Sequence, residues 1–125
     1  MPAGERLPRR VLAEFIGTAF LVLAVVGSGI AAARLSPHDV GLELFENAAA
    51  TGVALVAIIL AVGPVSGAHL NPVLTLLDRL FGGVSTRAAG TYIVAQAAGG
   101  GGPVGVQIPA PTPNAQPAPR PLSTA

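Results

Sequence analysis

Ser66, His69 and Asp78 lie close together in the chain, and a Ser, a His and an Asp are the raw material of a nucleophilic triad. Their setting argues against that chemistry. Ser66 and His69 belong to the stretch Ser66-Gly67-Ala68-His69-Leu70-Asn71-Pro72-Val73, which reads as a turn feeding a helix start, and Asp78 falls at the end of that helix. His69 has no His, Cys or carboxylate within its own loop, so a structural hydrogen bond is expected rather than a metal ligand. Gly99 to Gly102 lacks the Lys-Ser/Thr of a phosphate loop. Cysteine is absent, which removes thiolate chemistry and disulfides. The arginines form no patch interleaved with aromatics, so no nucleic-acid partner is expected. The expectation is a protein without enzymatic chemistry, cofactor or metal.

Two other residues stand out by position. Glu14 is a carboxylate inside a long apolar run, where a charge is costly and functional by default. It shares a helix face with Thr18, at i,i+4. A proton relay is the sharper reading, but no second carboxylate lies at the same depth to take the proton. Asn71 before Pro72 is a strong helix-start pair. The Asn side-chain oxygen takes a free N–H of the first turn, and Pro fits the first helical position. Gly67 lets the backbone ahead of it turn tightly. The capping oxygen leaves the Asn71 amide NH₂ free.

The elements that hold these residues are apolar. The hydrophobic share is 51% and the charged share 10%, against about a quarter charged in soluble domains. Val11 to Ala33 suffices to span a bilayer, which needs about 20 residues. Its length and Glu14 set it apart from a signal-peptide core of about 7–15 residues. A polar connector follows from Arg34 to Glu46, and a second span ends at Pro64. The expected helices cover about 10–33 and 45–63. Arg6, Arg9 and Arg10 precede the first span and Arg34 follows it, so the N-terminus is expected in the cytoplasm; the location expected for this multi-pass chain is the plasma membrane. Pro72 to Phe81 rises about 15 Å as a helix, half a hydrocarbon core, so a re-entrant half-helix is expected. A surface amphipathic helix is the alternative. Irregular backbone at that depth is tolerated only where protein buries it or a watery cavity meets it. A third helix is expected from near Ser85, breaking at Gly99-Gly100-Gly101-Gly102-Pro103.

Three motifs in order carry a family resemblance. Ser66 to Val73 resembles the first signature loop of the aquaporins, the major intrinsic protein family, with Val73 in place of the usual Ala of Asn-Pro-Ala. Ala13-Glu14-Phe15-Ile16-Gly17-Thr18 resembles the family's first-helix motif, and Tyr92-Ile93-Val94-Ala95-Gln96 the start of its third helix. The resemblance covers roughly residues 11 to 99. It implies an all-α membrane fold: the first half-repeat, with two transmembrane helices, a re-entrant half-helix and a partial third helix. The domain reading is a cytoplasmic N-terminus 1–10, a partial aquaporin-like domain 11–102 and a low-complexity tail 103–125 of the disordered type. A reading-frame slip in a GC-rich gene is one origin considered for that tail.

The resemblance also implies roles. The Asn71 amide donates a hydrogen bond to a passing solute, and Gly67, Ala68 and His69 present carbonyls to the conduction path, with Pro72 and Val73 completing the loop. Glu14 holds the loop by its backbone, and Gln96 braces it from the third span. Thr51, twenty residues before Asn71, stands where the family usually places a filter aromatic. A Thr there implies a wider constriction, open to glycerol or a neutral metalloid hydroxide beside water. The alternative is that Thr51 packs between helices. The implied function is passive transport of water or small neutral solutes in the lipid bilayer, by a homo-oligomer (a tetramer in the family). One signature loop builds about half a pore, so the chain is expected to be truncated relative to the family and not to conduct alone. A non-transporting remnant or a small membrane interaction module is the alternative.

Overall fold

The computed structural model describes residues 3–101. Four helices follow one another: α1 (Ala3–Leu35), α2 (Val40–Ser66), α3 (Pro72–Leu80) and α4 (Thr86–Gly99). The fold is all-α, as expected. Residues 6–35 of α1 and all of α2 are long and apolar enough to cross a membrane. α1 is the central element and packs against both α2 and α4, while α3 packs on α4. Leu7 meets Val84, Ala88 and Ala89, Arg10 lies over Tyr92, and Glu14 bonds Gln96. α1 and α4 therefore run parallel, one residue pair after another.

The distribution of polarity is inverted relative to a water-soluble domain. The largest fully buried side chains are Tyr92, Gln96, Glu14 and Thr75. Large apolar groups face outward, with Val53 and Leu60 on α2 both 73% exposed. Contiguous apolar surface of this kind belongs against lipid, and the polar interior holds the backbone groups that lipid cannot satisfy.

Several boundaries differ from the sequence reading. α1 starts at Ala3 rather than near residue 10, and runs to Leu35 rather than residue 33. The connector expected from Arg34 to Glu46 shrinks to four residues, because α2 starts at Val40 rather than near residue 45. Asp39 caps it by accepting from the Leu42 N–H at 2.9 Å, and Glu43 in the first turn suits the positive dipole end. Pro64 does not end α2. Proline removes one helical hydrogen bond, but membrane helices tolerate that. The stop is Gly67 at φ 95°, whose N–H bonds the Gly63 carbonyl. The third helix starts with Ser85 as its cap and ends at Gly99, where expected. The low-complexity tail 103–125 lies outside the described residues.

α3 is nine residues long, about 14 Å, and does not span. Asn71 caps it, its Oδ1 accepting from the Val73 N–H at 2.8 Å, with Pro72 in the first turn. At the other end Gly82 and Gly83 donate to the Arg79 and Asp78 carbonyls, and Gly82 takes φ 81°. A loop, a short helix and a glycine turn thus join α2 to α4 in place of a third full crossing.

Candidate functional site: the loop before the half-helix

The loop Gly67–Leu70 has a backbone that few sequences adopt. Gly67 (φ 95°), Ala68 (φ 52°) and Leu70 (φ 54°) all lie in the left-handed region, two of them without the freedom of glycine. Such conformations cost about 1–3 kcal/mol each and persist where the surroundings over-determine them. Here the surroundings are Glu14. Its Oε1 accepts from the Ser66 hydroxyl at 2.6 Å and from the His69 N–H at 3.0 Å. Its Oε2 accepts from the Leu70 N–H at 2.7 Å and from the Gln96 side-chain amide at 2.7 Å. Four donors fill the four lone-pair sites of one carboxylate, and Glu14 is 0% exposed. Hydrogen bonds to a charged acceptor are the stronger kind.

The network extends through all four helices. Gln96 Nε2 also donates to Thr75 Oγ1 at 2.9 Å, and Thr75 Oγ1 lies 3.2 Å from the Asn71 carbonyl. The Tyr92 hydroxyl donates to the Ser66 carbonyl at 3.0 Å, satisfying a group that the end of α2 leaves open. Ser66 Oγ in turn accepts from the Ala68 N–H at 3.1 Å. His69 stacks edge-on against Tyr92, with centroids 5.5 Å apart. Its Nδ1 is 3.3 Å from Thr75 Oγ1, and its Nε2 is 3.5 Å from Asp78 Oδ2. His69 thus sits among hydrogen-bonding groups, with the Asp78 carboxylate of α3 beside it.

Close approach depends on two glycines. A Cβ on Gly17 would lie 2.5 Å from Leu70 Cδ2, so the loop's apolar anchor seats against bare α1 backbone. A Cβ on Gly99 would run into the Phe15 carbonyl, so α4 touches the backbone of α1 there. The pairing of N–H groups with Glu14 has a consequence for the other side of the loop. Among the described residues, no protein donor reaches the carbonyls of Gly67, Ala68, His69 or Leu70.

The structure brings Glu14, Gln96 and the loop residues 66–71 together. Asn71, Pro72 and Val73 are exposed at the start of α3. Thr51 stands apart, near the middle of α2 and fifteen residues before its loop end. Its hydroxyl is 3.4 Å from Asn47 Oδ1, which also accepts from Ser28 of α1 at 2.7 Å. Sequence reasoning assigned no role to Thr75 or Tyr92. Tyr92 carried a signal: it is the sole tyrosine of a chain without tryptophan, four residues before Gln96.

Two membrane-length helices, a strained loop held by a buried carboxylate, and a half-helix that starts at Asn71-Pro72 define a membrane protein with re-entrant architecture. The chain matches the major intrinsic protein family over residues 4–108, and it belongs to that family. It is 47% identical over 93 residues to the aquaglyceroporin AqpS of Rhizobium meliloti (strain 1021), which covers 74% of this chain and 40% of that relative. It is 40% identical over 91 residues to the probable aquaporin NIP7-1 of Arabidopsis thaliana, covering 73% and 32%. With aquaporin Z of Rhodopseudomonas palustris (strain ATCC BAA-98 / CGA009) it shares 38% identity over 90 residues, covering 72% and 37%. The chain therefore spans at most two fifths of the length of these relatives. No solved structure is significantly similar to it.

Proposed function

We propose that this chain supplies one half of the wall of a membrane channel for water or small neutral solutes such as glycerol. The observation that carries the reading is the two-sidedness of the loop. Its amides at His69 and Leu70 are consumed by Glu14, and its carbonyls from Gly67 to Leu70 are left without a protein donor among the described residues. Unpaired backbone at membrane depth is tolerated where it meets a water-filled path. A row of carbonyls offers a neutral solute successive acceptors, and the Asn71 NH₂ offers a donor at the helix start. The positive dipole end of α3 opposes cations at the same point. Gly67, Ala68, His69, Asn71, Pro72 and Val73 form this path, Glu14 and Gln96 brace it, and Thr51 sets the width at the outer end. The aquaglyceroporin among the relatives supports glycerol beside water.

The site is passive, the bilayer is the plasma membrane, the arginine-bearing N-terminus faces the cytoplasm, and the assembly is a homo-oligomer. Among the described residues one half-helix is present, and one face of it is bare: Val73 is 61% exposed and Leu80 79%. A pore needs walls on all sides, so the 125-residue polypeptide does not conduct by itself. The test is osmotic swelling of vesicles that contain only this polypeptide, with water and with glycerol. Permeability equal to empty vesicles is the expected result. Permeability above it, abolished by Asn71→Ala, would show that copies associate to close a pore.

A further inference from the structure

Asp78 stands where a carboxylate is poorly placed for stability. It falls in the last turn of α3, and the negative end of a helix dipole disfavours an acid there. Its carboxylate lies over the glycine turn that follows, where a Cβ on Gly83 would run into it. From that position Oδ2 reaches to 3.5 Å from Nε2 of His69, whose side chain is 14% exposed. Among the described residues the His69 ring has no other ion-pair partner. Arg10 lies over the far ring, that of Tyr92, which meets His69 edge-on.

Counting donors places the protons in the groups beyond His69. A carboxylate only accepts. The Gln96 amide has two protons, and they go to Glu14 Oε2 at 2.7 Å and to Thr75 Oγ1 at 2.9 Å. Thr75 and Gln96 are buried, so water does not substitute for these partners. Thr75 has one proton to give, with His69 Nδ1 at 3.3 Å, the Asn71 carbonyl at 3.2 Å and Gln96 Oε1 at 3.4 Å. The Asn71 carbonyl already accepts the Thr75 N–H at 3.1 Å, whereas Nδ1 has no second partner among the described residues. On the other side of the ring, a bare Nε2 would set two acceptors against each other. A protonated Nε2 is attracted to the Asp78 carboxylate. The donors therefore run one way, from Gln96 through Thr75 and His69 to Asp78, while the second Gln96 proton goes to Glu14.

We propose that Asp78 is a positioning residue of the loop: it holds His69 as the Nε2–H tautomer and so sets the direction of the hydrogen bonds that meet at Gln96. Gly83 leaves it the room to do so. Both ring nitrogens are then engaged within the protein, and the His69 side chain has no donor for a solute. His69 contributes its carbonyl, and the donor of the path is the Asn71 amide. That consequence rests on the channel reading above; the tautomer does not. Thr, His and Asp also build nucleophilic triads, but the Thr75 hydroxyl is 0% exposed, so no substrate reaches it.

The test is nitrogen NMR of the imidazole in the full chain in bilayers, at about pH 8, where free imidazole is neutral. His38, exposed in the connector, is replaced (His38→Gln) so that one ring is read. Protonated and bare ring nitrogens resonate far apart, which separates both tautomers and the doubly protonated ring. The parent chain should show Nε2 protonated and Nδ1 bare. Free histidine leans the same way, so the change on substitution decides. Asp78→Asn keeps the shape, and its amide can meet Nε2 with either its oxygen or its NH₂. The Nδ1–H share should rise by about fivefold, the margin between a charged and a neutral partner. Gly83→Ala keeps the charge but pushes the carboxylate off the ring, and should raise the same share by a smaller factor. Thr75→Ser keeps the hydroxyl and should leave the parent ratio. An unchanged ratio in both Asp78→Asn and Gly83→Ala would overturn the proposal. So would an Nδ1–H or a doubly protonated ring in the parent. Permeation plays no part in this readout, so its outcome is separate from that of the swelling test.

Discussion

α1 and α2 are joined by polar groups at both ends, and the two ends are built differently. At one end the Glu14 carboxylate is fully buried and takes four donors, two of them backbone N–H groups of the loop. At the other, Ser28 and Thr51 share one oxygen of Asn47, and Ser36 reaches Glu46 at 3.1 Å, all in partly buried settings. The first arrangement determines backbone. The second joins side chains that water or lipid headgroups can also satisfy. Backbone-determining hydrogen bonds are thus concentrated where the loop must hold left-handed residues, and the Ser28–Asn47–Thr51 cluster holds side chains only.

Substitutions at the two ends should separate by several kcal/mol. Glu14→Gln places an NH₂ where a donor already points and leaves at least one loop N–H unpaired. Each unsatisfied buried group costs about 1–3 kcal/mol, and the repulsion adds to it. Unfolding in a denaturing detergent, followed by helix content, should show the largest loss of this set, with new protease cleavage between residues 67 and 71. A loss no greater than that of a Ser28 variant would erase the distinction between the ends.

Gly99→Ala comes next. Its methyl meets backbone rather than a flexible side chain, so α4 must shift off α1 at about 1–3 kcal/mol. Gly52→Ala on α2 is the control, with nothing within 4 Å of the new carbon. It should be neutral or stabilising by up to about 1 kcal/mol. Equal losses at the two glycines in the same unfolding assay would argue against close contact at Phe15.

Tyr92→Phe keeps the ring stack on His69 and deletes the bond to the Ser66 carbonyl. About 1 kcal/mol is expected, read as faster amide exchange around residues 66–70 rather than along α1. Ser28→Ala should be smallest, near 0.6 kcal/mol, the average for interhelical hydrogen bonds in membranes. Effects at Ser28 as large as those at Tyr92 would mean that the outer cluster is as constrained as the inner one.

The pieces of the site legible from the chain were the local ones. Asn71-Pro72 announces a helix start wherever it occurs, because the cap and the missing N–H act within one turn. Glu14 was conspicuous because a charge in an apolar run demands an explanation. Pro64 was misleading for the same local reason. The rule that proline stops helices assumes that the lost bond goes uncompensated, whereas α2 continues to Ser66 and Gly67 ends it. Thr75 gave no signal at all, since a threonine in a short helix is unremarkable until Gln96 of another helix donates to it.

Composition and spacing by themselves determined that this chain lies in a membrane, that two of its helices cross it, and that a third is too short to do so. Those conclusions rest on length against bilayer thickness and on hydrophobic transfer, which are properties of segments taken singly. Tertiary structure alone decided that a single carboxylate takes its donors from α2, the loop and α4 together. It also decided that Tyr92 closes the end of α2 and that Gly17 and Gly99 permit the approach. Those outcomes depend on distances between helices far apart in the chain, and a hydrogen bond acts only within about 3 Å, so no segment read alone contains them.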